Sequence, residues 1–455
     1  MSHRVADVAD VTARRLQASI AQEQVRARVP SLVAAVVRDG ERVWTGTAGA
    51  HTGSEPPGPD LQYRVGSITK TLTSVLVMQL RDGGALRLDD RLDRFLTGMG
   101  EYGGRTLRSL LAHSSGMHSE PAGPWWERSS GGDVEELLAA TNAVAAPFGP
   151  GATYHYSNLA YGLLGEVVAR VTGSSWWEQV QLRILDPLSM TRTSFLPSPP
   201  HATGYSVAHF ANTLTEEPAQ DTGAMAAAGQ VWSTVGDLAR YAAFLVDGHD
   251  EVLPRSTLAE MATPQSGTAD GGLREGYGLG LRLVAGGSGT LIGHTGSMPG
   301  FLAGLLVDRP RRTGAVVLAN GTSGMRCEGL PAELLDKLER SEPTIREAWI
   351  PVGEVPRTVA EVLGPWYWGN TALGFSYDGS EVLVSSLSTG TVTLRLRPAD
   401  DGSFVGTAGY HHGETLRVVR DEGGAVHHLV CATFIYTRTP YDPSAPIPGG
   451  APGPE

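Results

Sequence analysis

Segments typical of β-strands lie at both ends of the first 345 residues, and a mostly helical stretch lies between them. Near the start, apolar runs at 32–37 and 42–45 flank Asp39-Gly40, a pair typical of a two-residue hairpin turn. Strand-like segments return at 290–294, 302–308 and 314–319. Strands from both ends of one unit are best accommodated in a single sheet that the intervening helices cover. We therefore predict an α+β fold with one antiparallel sheet and helices packed on it.

Helices are expected where apolar residues recur every three to four positions. This spacing occurs at 8–28, 68–81, 159–171 and 237–246. The third of these segments is followed by Gly173, a residue type that favours the end of a helix.

The sequence pattern changes after about residue 345, where short β-rich runs alternate with turns such as Asp378-Gly379 and Asp401-Gly402. Regular short strands separated by such turns are typical of a small antiparallel barrel or sandwich. The predicted organisation is a first domain at 1–345, a linker at 346–362, a β-barrel at 363–440 and a disordered Pro/Gly-rich tail at 441–455.

Charge and composition exclude several classes of function. The chain has 36 basic and 48 acidic side chains, and its net charge of −12 disfavours nucleic acid or an anionic membrane as a partner. The first 30 residues carry scattered charges and no apolar run typical of a secretory signal, so we expect a cytoplasmic protein. Cys327 and Cys431 are too few for a disulfide framework and lack metal-ligand spacing.

Lysine is rare in this sequence: Lys70 and Lys337 are the only lysines among the 36 basic residues. A lysine in a partly buried site can lose its proton, whereas arginine stays charged. Lys70 also follows Ser67 by three positions at the start of a predicted helix, so the two side chains share one face. At the start of a helix the backbone N–H groups are free, and the hydroxyl would lie next to both these groups and a potential base. Such a hydroxyl is suited to nucleophilic catalysis. Alone, the S-x-x-K pattern is weak, and a capping serine with an exposed lysine is the more common interpretation.

Two further segments carry residues suited to the same chemistry. Tyr156-Ser157-Asn158 opens the predicted helix at 159, where tyrosine can transfer a proton if a nearby cation lowers its pKa. Asparagine can bind a lysine through its oxygen and a substrate carbonyl through its amide. His294-Thr295-Gly296-Ser297 is expected at the end of the strand at 290–293, where glycine allows a substrate backbone to lie against the strand edge.

Together the three segments resemble the motifs of the serine β-lactamase and penicillin-binding-protein superfamily, which are S-x-x-K, then Y-x-N or S-x-N, then K-T-G or H-T-G. The chain is most similar to the class C branch. The resemblance extends from about residue 30 to 325 and includes the flanking segments 110–116 and 229–234. It implies a β-lactamase/transpeptidase-like first domain.

The resemblance also implies roles for individual residues. Ser67 would be the nucleophile that forms an acyl-enzyme, and Lys70 and Tyr156 would transfer the proton. Asn158 would position Lys70 and the substrate amide. The backbone N–H groups of Ser67 and Ser297 would form the oxyanion hole.

The third motif departs from the pattern of β-lactamases and many peptidases, because His294 stands where they have lysine. A mostly neutral histidine weakens the expectation of β-lactamase activity and of a strict need for a substrate carboxylate. Thr295 and Gly296 are expected to line the substrate site. Trp125 and Trp126, in the loop between the first two motifs, are candidates for substrate contact, although paired tryptophans more often belong to the core.

Other catalytic chemistries find no support in the sequence. It contains no G-x-S-x-G elbow, no H-E-x-x-H pair and no P-loop. The histidine pairs at 411–412 and 427–428 are interpreted as surface or turn residues, so no metal and no cofactor is expected.

Four acyl-transfer functions remain to be compared. A D-alanyl-D-alanine peptidase or a β-lactamase would act outside the membrane, which the absent secretory signal disfavours. A cytoplasmic esterase or D-amino-acid peptidase or amidase stays open, and so does an inactive binding or sensor homologue. The fourth is a penicillin-binding-protein-type thioesterase, which takes a peptide from a carrier-protein thioester and closes it head to tail. Its lipocalin-like second domain is similar to the segment that begins at 364–370.

We therefore predict a nonribosomal peptide cyclase. Its expected partners are a peptide substrate and the carrier domain of a peptide synthetase.

Overall fold

The computed structural model describes residues 7–50, 55–267, 275–287, 289–345, 349–351 and 353–442. The chain divides into two compact units, Met1–Ile345 and Arg346–Glu455. The part of the predicted tail at 443–455 lies outside the described residues.

The first unit combines helices with a seven-stranded antiparallel sheet. Its helices are α1 (Asp10–Ala27), α2 (Thr69–Asp82), α3 (Leu107–Leu111), α4 (Val134–Asn142), α5 (Asn158–Thr172), α6 (Trp176–Val180), α7 (Ala226–Gly229), α8 (Val235–Asp247), α9 (Arg255–Met261) and α10 (Gly329–Ser341). Its strands are β1 (Ser31–Arg38), β2 (Glu41–Gly49), β3 (Tyr63–Arg64), β4 (Tyr205–Val207), β5 (Leu214–Glu216), β6 (Trp232–Ser233), β7 (Glu275–Tyr277), β8 (Arg282–Ala285), β9 (Thr290–Met298), β10 (Phe301–Asp308) and β11 (Thr313–Ala319).

The main sheet has the order β2-β1-β11-β10-β9-β8-β7, so strands from both ends of the unit meet where β1 pairs with β11. Side chains of β1 alternate between two apolar clusters, with Val33 in one and Ala34 in the other. Helices α1 and α10 cover one face of the sheet and α8 packs on the other. Burial on both faces explains why β1, β10 and β11 are almost continuously apolar. The predicted α+β architecture is confirmed.

The second unit contains the short helix α11 (Arg357–Ala360) and an eight-stranded antiparallel sheet. The strands are β12 (Gly364–Trp368), β13 (Thr371–Tyr377), β14 (Val382–Ser386), β15 (Val392–Pro398), β16 (Phe404–Gly409), β17 (Thr415–Arg420), β18 (Val426–Cys431) and β19 (Phe434–Tyr436). They pair in chain order, and Tyr367 exchanges two backbone hydrogen bonds with Thr437, which nearly closes the sheet into a barrel. Its core contains Trp366, Phe375 and Phe404. The predicted second-domain barrel is confirmed.

Two sequence-based expectations about position were wrong. The strand expected to end at 293 continues as β9 to Met298, so the third motif lies inside a strand and pairs with β10. His411 and His428 were interpreted as surface or turn residues; His411 does lie in a turn and His428 lies in β18, but both are buried, so the expectation of a surface position was wrong. Their backbones lie in or beside barrel strands whose inward side chains face the core, a property that a polar residue type does not reveal.

A search of the described residues for a helix long and apolar enough to cross a bilayer finds none.

Candidate active site

Ser67 lies in a single 3₁₀ turn, Gly66–Ile68, that leads directly into α2. Gly66 has φ +54°, a left-handed conformation that a side chain would strain, and a Cβ atom there would lie 2.6 Å from Ser297 N. The glycine therefore allows this turn to lie directly against β9. The first motif and the third motif meet at this contact.

Ser67 and Lys70 form a close pair, as their three-residue spacing predicts. Lys70 Nζ lies 2.9 Å from Ser67 Oγ, and it donates a hydrogen bond to the carbonyl oxygen of Ala228 at 2.6 Å. Ala228 belongs to α7. With one N–H held by this carbonyl, the lone pair of a neutral Lys70 is free to accept the Ser67 hydroxyl proton.

Lys70 is fully buried, which favours the neutral amine. Burial lowers its pKa from 10.5 to about 7, and the carboxylates of Glu120 and Glu127 oppose this shift. Near neutral pH a large fraction of Lys70 is therefore unprotonated and able to act as a general base.

Tyr156 is the second hydroxyl beside the nucleophile. Ser157 caps α5 by accepting a hydrogen bond from Ala160 N, and this cap sets the backbone at the start of the second motif. The Tyr156 hydroxyl bonds to the Ser67 hydroxyl, and Lys70 Nζ lies 5.1 Å from the Tyr156 ring centroid. Burial nevertheless raises the pKa of Tyr156 well above its usual value. A nearby cation that lowers this pKa was the stated condition for proton transfer by Tyr156, and the condition is not met because burial of the phenol raises the pKa.

Asn158 lies at the first turn of α5, but it does not contact Lys70 among the described residues. Its side-chain amide donates to Glu120 Oε1 at 2.7 Å, and its carbonyl oxygen Oδ1 is buried without a hydrogen-bond partner. The expected positioning of Lys70 by Asn158 is therefore not seen. An unpaired buried acceptor is costly, so Oδ1 is available to a donor that a substrate brings.

The third motif lies on β9 next to the nucleophile. Strand β8 pairs with β9 only as far as Gly293. The segment His294–Ser297 therefore pairs with β10 on one side and has no β8 partner on the other. A Cβ atom at Gly296 would lie 1.9 Å from Val65 O and 3.3 Å from Ser67 N, so glycine is needed for the close approach. Ser297 follows at once, and its backbone N lies beside Gly66, the residue before Ser67, which suits its N–H to act with that of Ser67 as an oxyanion hole. Thr295 is half-buried on the same strand.

His294 is buried, and both of its ring nitrogens have protein partners. Nδ1 lies 2.5 Å from the carbonyl oxygen of Thr295, which can only accept, so this nitrogen carries the proton. Nε2 lies 2.9 Å from the Tyr277 hydroxyl and accepts its hydrogen bond. Burial, with Lys70 adding to the effect, lowers the pKa of His294 to about 3. His294 is thus neutral, and it offers no cation to a substrate carboxylate.

The two candidate tryptophans have different positions. Trp126 is buried and donates to Glu120 Oε2 at 2.7 Å, so it holds the carboxylate that binds Asn158. Trp125 is 62% exposed and donates to Glu127 Oε2 at 3.0 Å. Trp126 therefore positions a site residue, whereas Trp125 remains open to solvent and to a substrate.

Sequence reasoning missed several residues at this site. Glu120 and Tyr277 reach it from loop and strand positions that follow no motif. His113 was noted only as part of a flanking segment, yet its ring packs 4.2 Å from that of Tyr156, and its Nδ1 accepts from Ser157 N at 3.0 Å. Burial lowers the pKa of His113 well below its usual value, so it supports Tyr156 as a neutral ring.

The assembled site brings together the hydroxyl of Ser67, the buried amine of Lys70 with a pKa of about 7, a neutral phenol and two carboxylates. This arrangement can activate Ser67 for attack on a carbonyl carbon and can accept the proton that is released.

Comparison with known proteins identifies relatives of both units. The profile of the family described as Beta-lactamase matches residues 16–338, and that of a domain of unknown function, DUF7586, matches residues 355–438. The chain is 27% identical over 304 residues to Beta-lactamase-like protein 2 of Dictyostelium discoideum. This alignment covers 63% of the chain and 55% of the relative, so the chain spans little more than half of that protein's length.

Two solved structures resemble this chain over nearly their whole length, a larger share than for the Dictyostelium relative. A D-stereospecific amidohydrolase from Streptomyces sp. is 29% identical, with a TM-score of 0.59 over 73% of this chain and 97% of that chain. The structure of SurE with D-Leu is 26% identical, with a TM-score of 0.59 over 95% of this chain and 100% of that chain.

Proposed function

The chain belongs to the beta-lactamase family, whose profile spans residues 16–338, and we propose that it is a serine acyl-enzyme catalyst that closes peptides head to tail. A peptidyl ester or thioester would be transferred to Ser67 and released as a macrolactam. The observation that carries the proposal is the Ser67–Lys70 pair, in which a buried amine with a pKa of about 7 lies 2.9 Å from the hydroxyl. A carrier protein that presents the thioester is the proposed partner.

Acylation begins when Ser67 Oγ attacks the carbonyl carbon and its proton passes to Lys70. The negative charge on the carbonyl oxygen would be stabilised by the backbone N–H groups of Ser67 and Ser297, and each such donor is typically worth about 2.7–4 kcal/mol. The Lys70 ammonium then returns its proton to the departing thiolate or alkoxide. The Tyr156 hydroxyl, which stays neutral, can relay this proton because it bonds to Ser67.

Release reverses the same proton path. The peptide's own N-terminal amine attacks the Ser67 ester and gives a proton to neutral Lys70, and Ser67 leaves with a proton. An intramolecular amine can have an effective molarity of 10⁵–10⁸ M, far above the roughly 55 M of water. Exclusion of water therefore has to be only partial.

The electrostatics around Lys70 favour an amine as acceptor. Glu120 and Glu127 are close enough to raise the pKa of Lys70, so their negative charge reaches the centre of the site. Carboxylates attract the ammonium form of an incoming amine, and neutral His294 places no opposing cation there. Water is neutral, so the negative charge of the two carboxylates does not attract it in this way.

The comparisons support a D-configured residue at the acylating carbonyl. One relative is described as D-stereospecific, and SurE was solved with D-Leu. We therefore extend the proposal to peptides whose C-terminal residue has the D configuration.

A second candidate function is hydrolysis of D-amino-acid amides or esters. The similarity to the Streptomyces amidohydrolase, at 29% identity, favours it. Both functions proceed through an acyl-enzyme on Ser67, and they differ in whether water or an amine attacks the carbonyl carbon of that ester.

The test is a panel of linear peptide thioesters of four to eight residues, each with a free or an acetylated N-terminus. Each sequence is made with a D- or an L-residue at the C-terminus, and products are separated by mass. Cyclase activity gives mainly macrolactam from free D-terminal peptides and slow hydrolysis from acetylated ones. If the free peptides give only linear acids across the panel, the hydrolase replaces the cyclase as the function.

A further inference from the structure

Three potential metal ligands of different chemistry meet in the second unit. His411 and Glu414 lie in the turn between β16 and β17, and Cys431 ends β18. Their ligand atoms all lie within 4.8 Å of one another. We propose that these three side chains form a binding site for a borderline-soft divalent cation, with Zn²⁺ as the reference ion.

The backbone of the turn brings the ligands together. A Cβ atom at Gly406 would lie 1.9 Å from His411 O, so the glycine lets the turn fold back onto β16. Gly413 N donates to Gly406 O and Gly406 N donates to Glu414 O, each at 2.8 Å. These bonds hold the Glu414 end of the turn against β16.

The His411 side chain is the strongest single indication of a ligand. It is only 2% exposed, and its Nδ1 lies 2.5 Å from Glu414 Oε2. Its Nε2 is buried without a hydrogen-bond partner. Leaving a buried polar nitrogen unpaired costs about 1–3 kcal/mol, which an ion bound through Nε2 would offset.

The donor set selects the class of ion. Thiolate, imidazole and carboxylate together are typical ligands of Zn²⁺, whereas Mg²⁺ and Ca²⁺ prefer oxygen. Metal–ligand bonds of 2.0–2.3 Å in a tetrahedron place the ligand atoms about 3.3–3.8 Å apart. Cys431 Sγ and Glu414 Oε2 lie 4.0 Å apart, so a small adjustment of the half-exposed Glu414 side chain reaches this spacing.

We assign the fourth coordination position to water. A cavity of about 160 Å³, which His411 lines together with Trp368, Tyr410, Phe434 and other mostly apolar residues, provides space for it. When the ion binds, the Cys431 thiol loses its proton to solvent and forms the metal–sulfur bond. The balance is one divalent cation bound and one thiol proton released.

The experiment uses the full-length protein, treated with a chelator and dialysed. Calorimetric titration with Zn²⁺ should show one saturable site per chain. Co²⁺ should give a thiolate-to-metal charge-transfer absorption. His411→Gln and Cys431→Ser should each weaken binding at least about tenfold, because even loss of an outer-shell partner typically costs 10–100-fold.

Matched controls come from the neighbouring residue and the other cysteine. His412→Gln removes an exposed histidine beside His411, and Cys327→Ser removes a thiol from the first unit; both should bind Zn²⁺ as the wild type does. If a ligand variant does not fold, the wild type still decides the matter. Under mildly denaturing conditions, in which buried thiols become transiently accessible, Zn²⁺ should slow alkylation of Cys431 by N-ethylmaleimide. Cys327 should show no such protection.

Three results overturn the site. They are the absence of a saturable 1:1 titration, equal losses in His411→Gln and His412→Gln, or no protection of Cys431 beyond that of Cys327.

Discussion

Replacing Lys70 with methionine should stabilise the protein near neutral pH while it abolishes activity. Lys70 is fully buried, and burial lowers its pKa from 10.5 in the unfolded chain to about 7. Between these two values the unfolded state binds more protons than the folded state. The contribution of Lys70 to the free energy of unfolding therefore rises with pH from about 7 to 10.5, and the penalty from its burial is largest below pH 7. Methionine fills a similar volume and does not titrate.

The magnitude follows from the two pKa values. At about 1.4 kcal/mol per pKa unit, the depressed pKa of Lys70 destabilises the fold by roughly 4 kcal/mol at pH 7 and roughly 2 kcal/mol at pH 9. Methionine also leaves the Ala228 carbonyl without its donor, which costs about 1–3 kcal/mol at either pH. The net gain at pH 7 is therefore about 1–3 kcal/mol. The gain should fall by roughly 2 kcal/mol between pH 7 and pH 9, whatever the hydrogen bond is worth.

Pulse proteolysis in urea at both pH values measures the free energy of unfolding, with the first unit scored separately from the second. Lys337→Met is the matched control, because Lys337 is the only other lysine and its side chain is 35% exposed on α10. A difference between Lys70→Met and wild type that does not change from pH 7 to pH 9 would refute the depressed pKa. An equal pH dependence in Lys337→Met would do the same.

Three kinetic predictions concern the same site. The acylation rate, followed by release of a chromogenic thiol, should rise with pH through a midpoint near 7 as Lys70 loses its proton, and a flat profile from pH 5.5 to 8.5 would contradict this. Glu120→Gln should move that midpoint to lower pH, because its carboxylate raises the Lys70 pKa; an upward shift would assign the opposite electrostatic role. Tyr156→Phe should slow acylation by about 10²–10⁴-fold without moving the midpoint, and a loss under about threefold would remove Tyr156 from the proton path.

Local patterns in the sequence predicted the elements that carry the motifs. The Ser67–Lys70 spacing places both side chains on one face because helix geometry is the same in every protein. The presence of lysine at position 70, in a sequence where nearly every other basic residue is arginine, indicated an amine that can lose its proton. The buried Lys70 has a pKa of about 7. Such features depend on neighbours within one or two turns.

Features that depend on distant contacts were missed. The pKa of Tyr156 follows from burial beneath His113, which lies more than forty positions earlier in the chain. Glu120 reaches Asn158 from a loop, and the loop sequence has no periodicity that indicates the contact. His411 was interpreted as a surface or turn residue, and it does lie in a turn, but the close approach permitted by Gly406 leaves its side chain buried.

The central claim is that Ser67, activated by neutral Lys70, carries the acyl group. Intact-protein mass spectrometry after rapid mixing with an N-acetylated peptide thioester tests it most directly, because blocking the amine removes the cyclisation step and lets the ester accumulate. Wild type and Ser341→Ala, a control at the end of α10, should gain the mass of the peptidyl group, and peptide mapping should place it on Ser67. Ser67→Ala should gain none. A peptidyl adduct on Ser67→Ala, or its absence from the wild type while the thioester is consumed, would contradict the account.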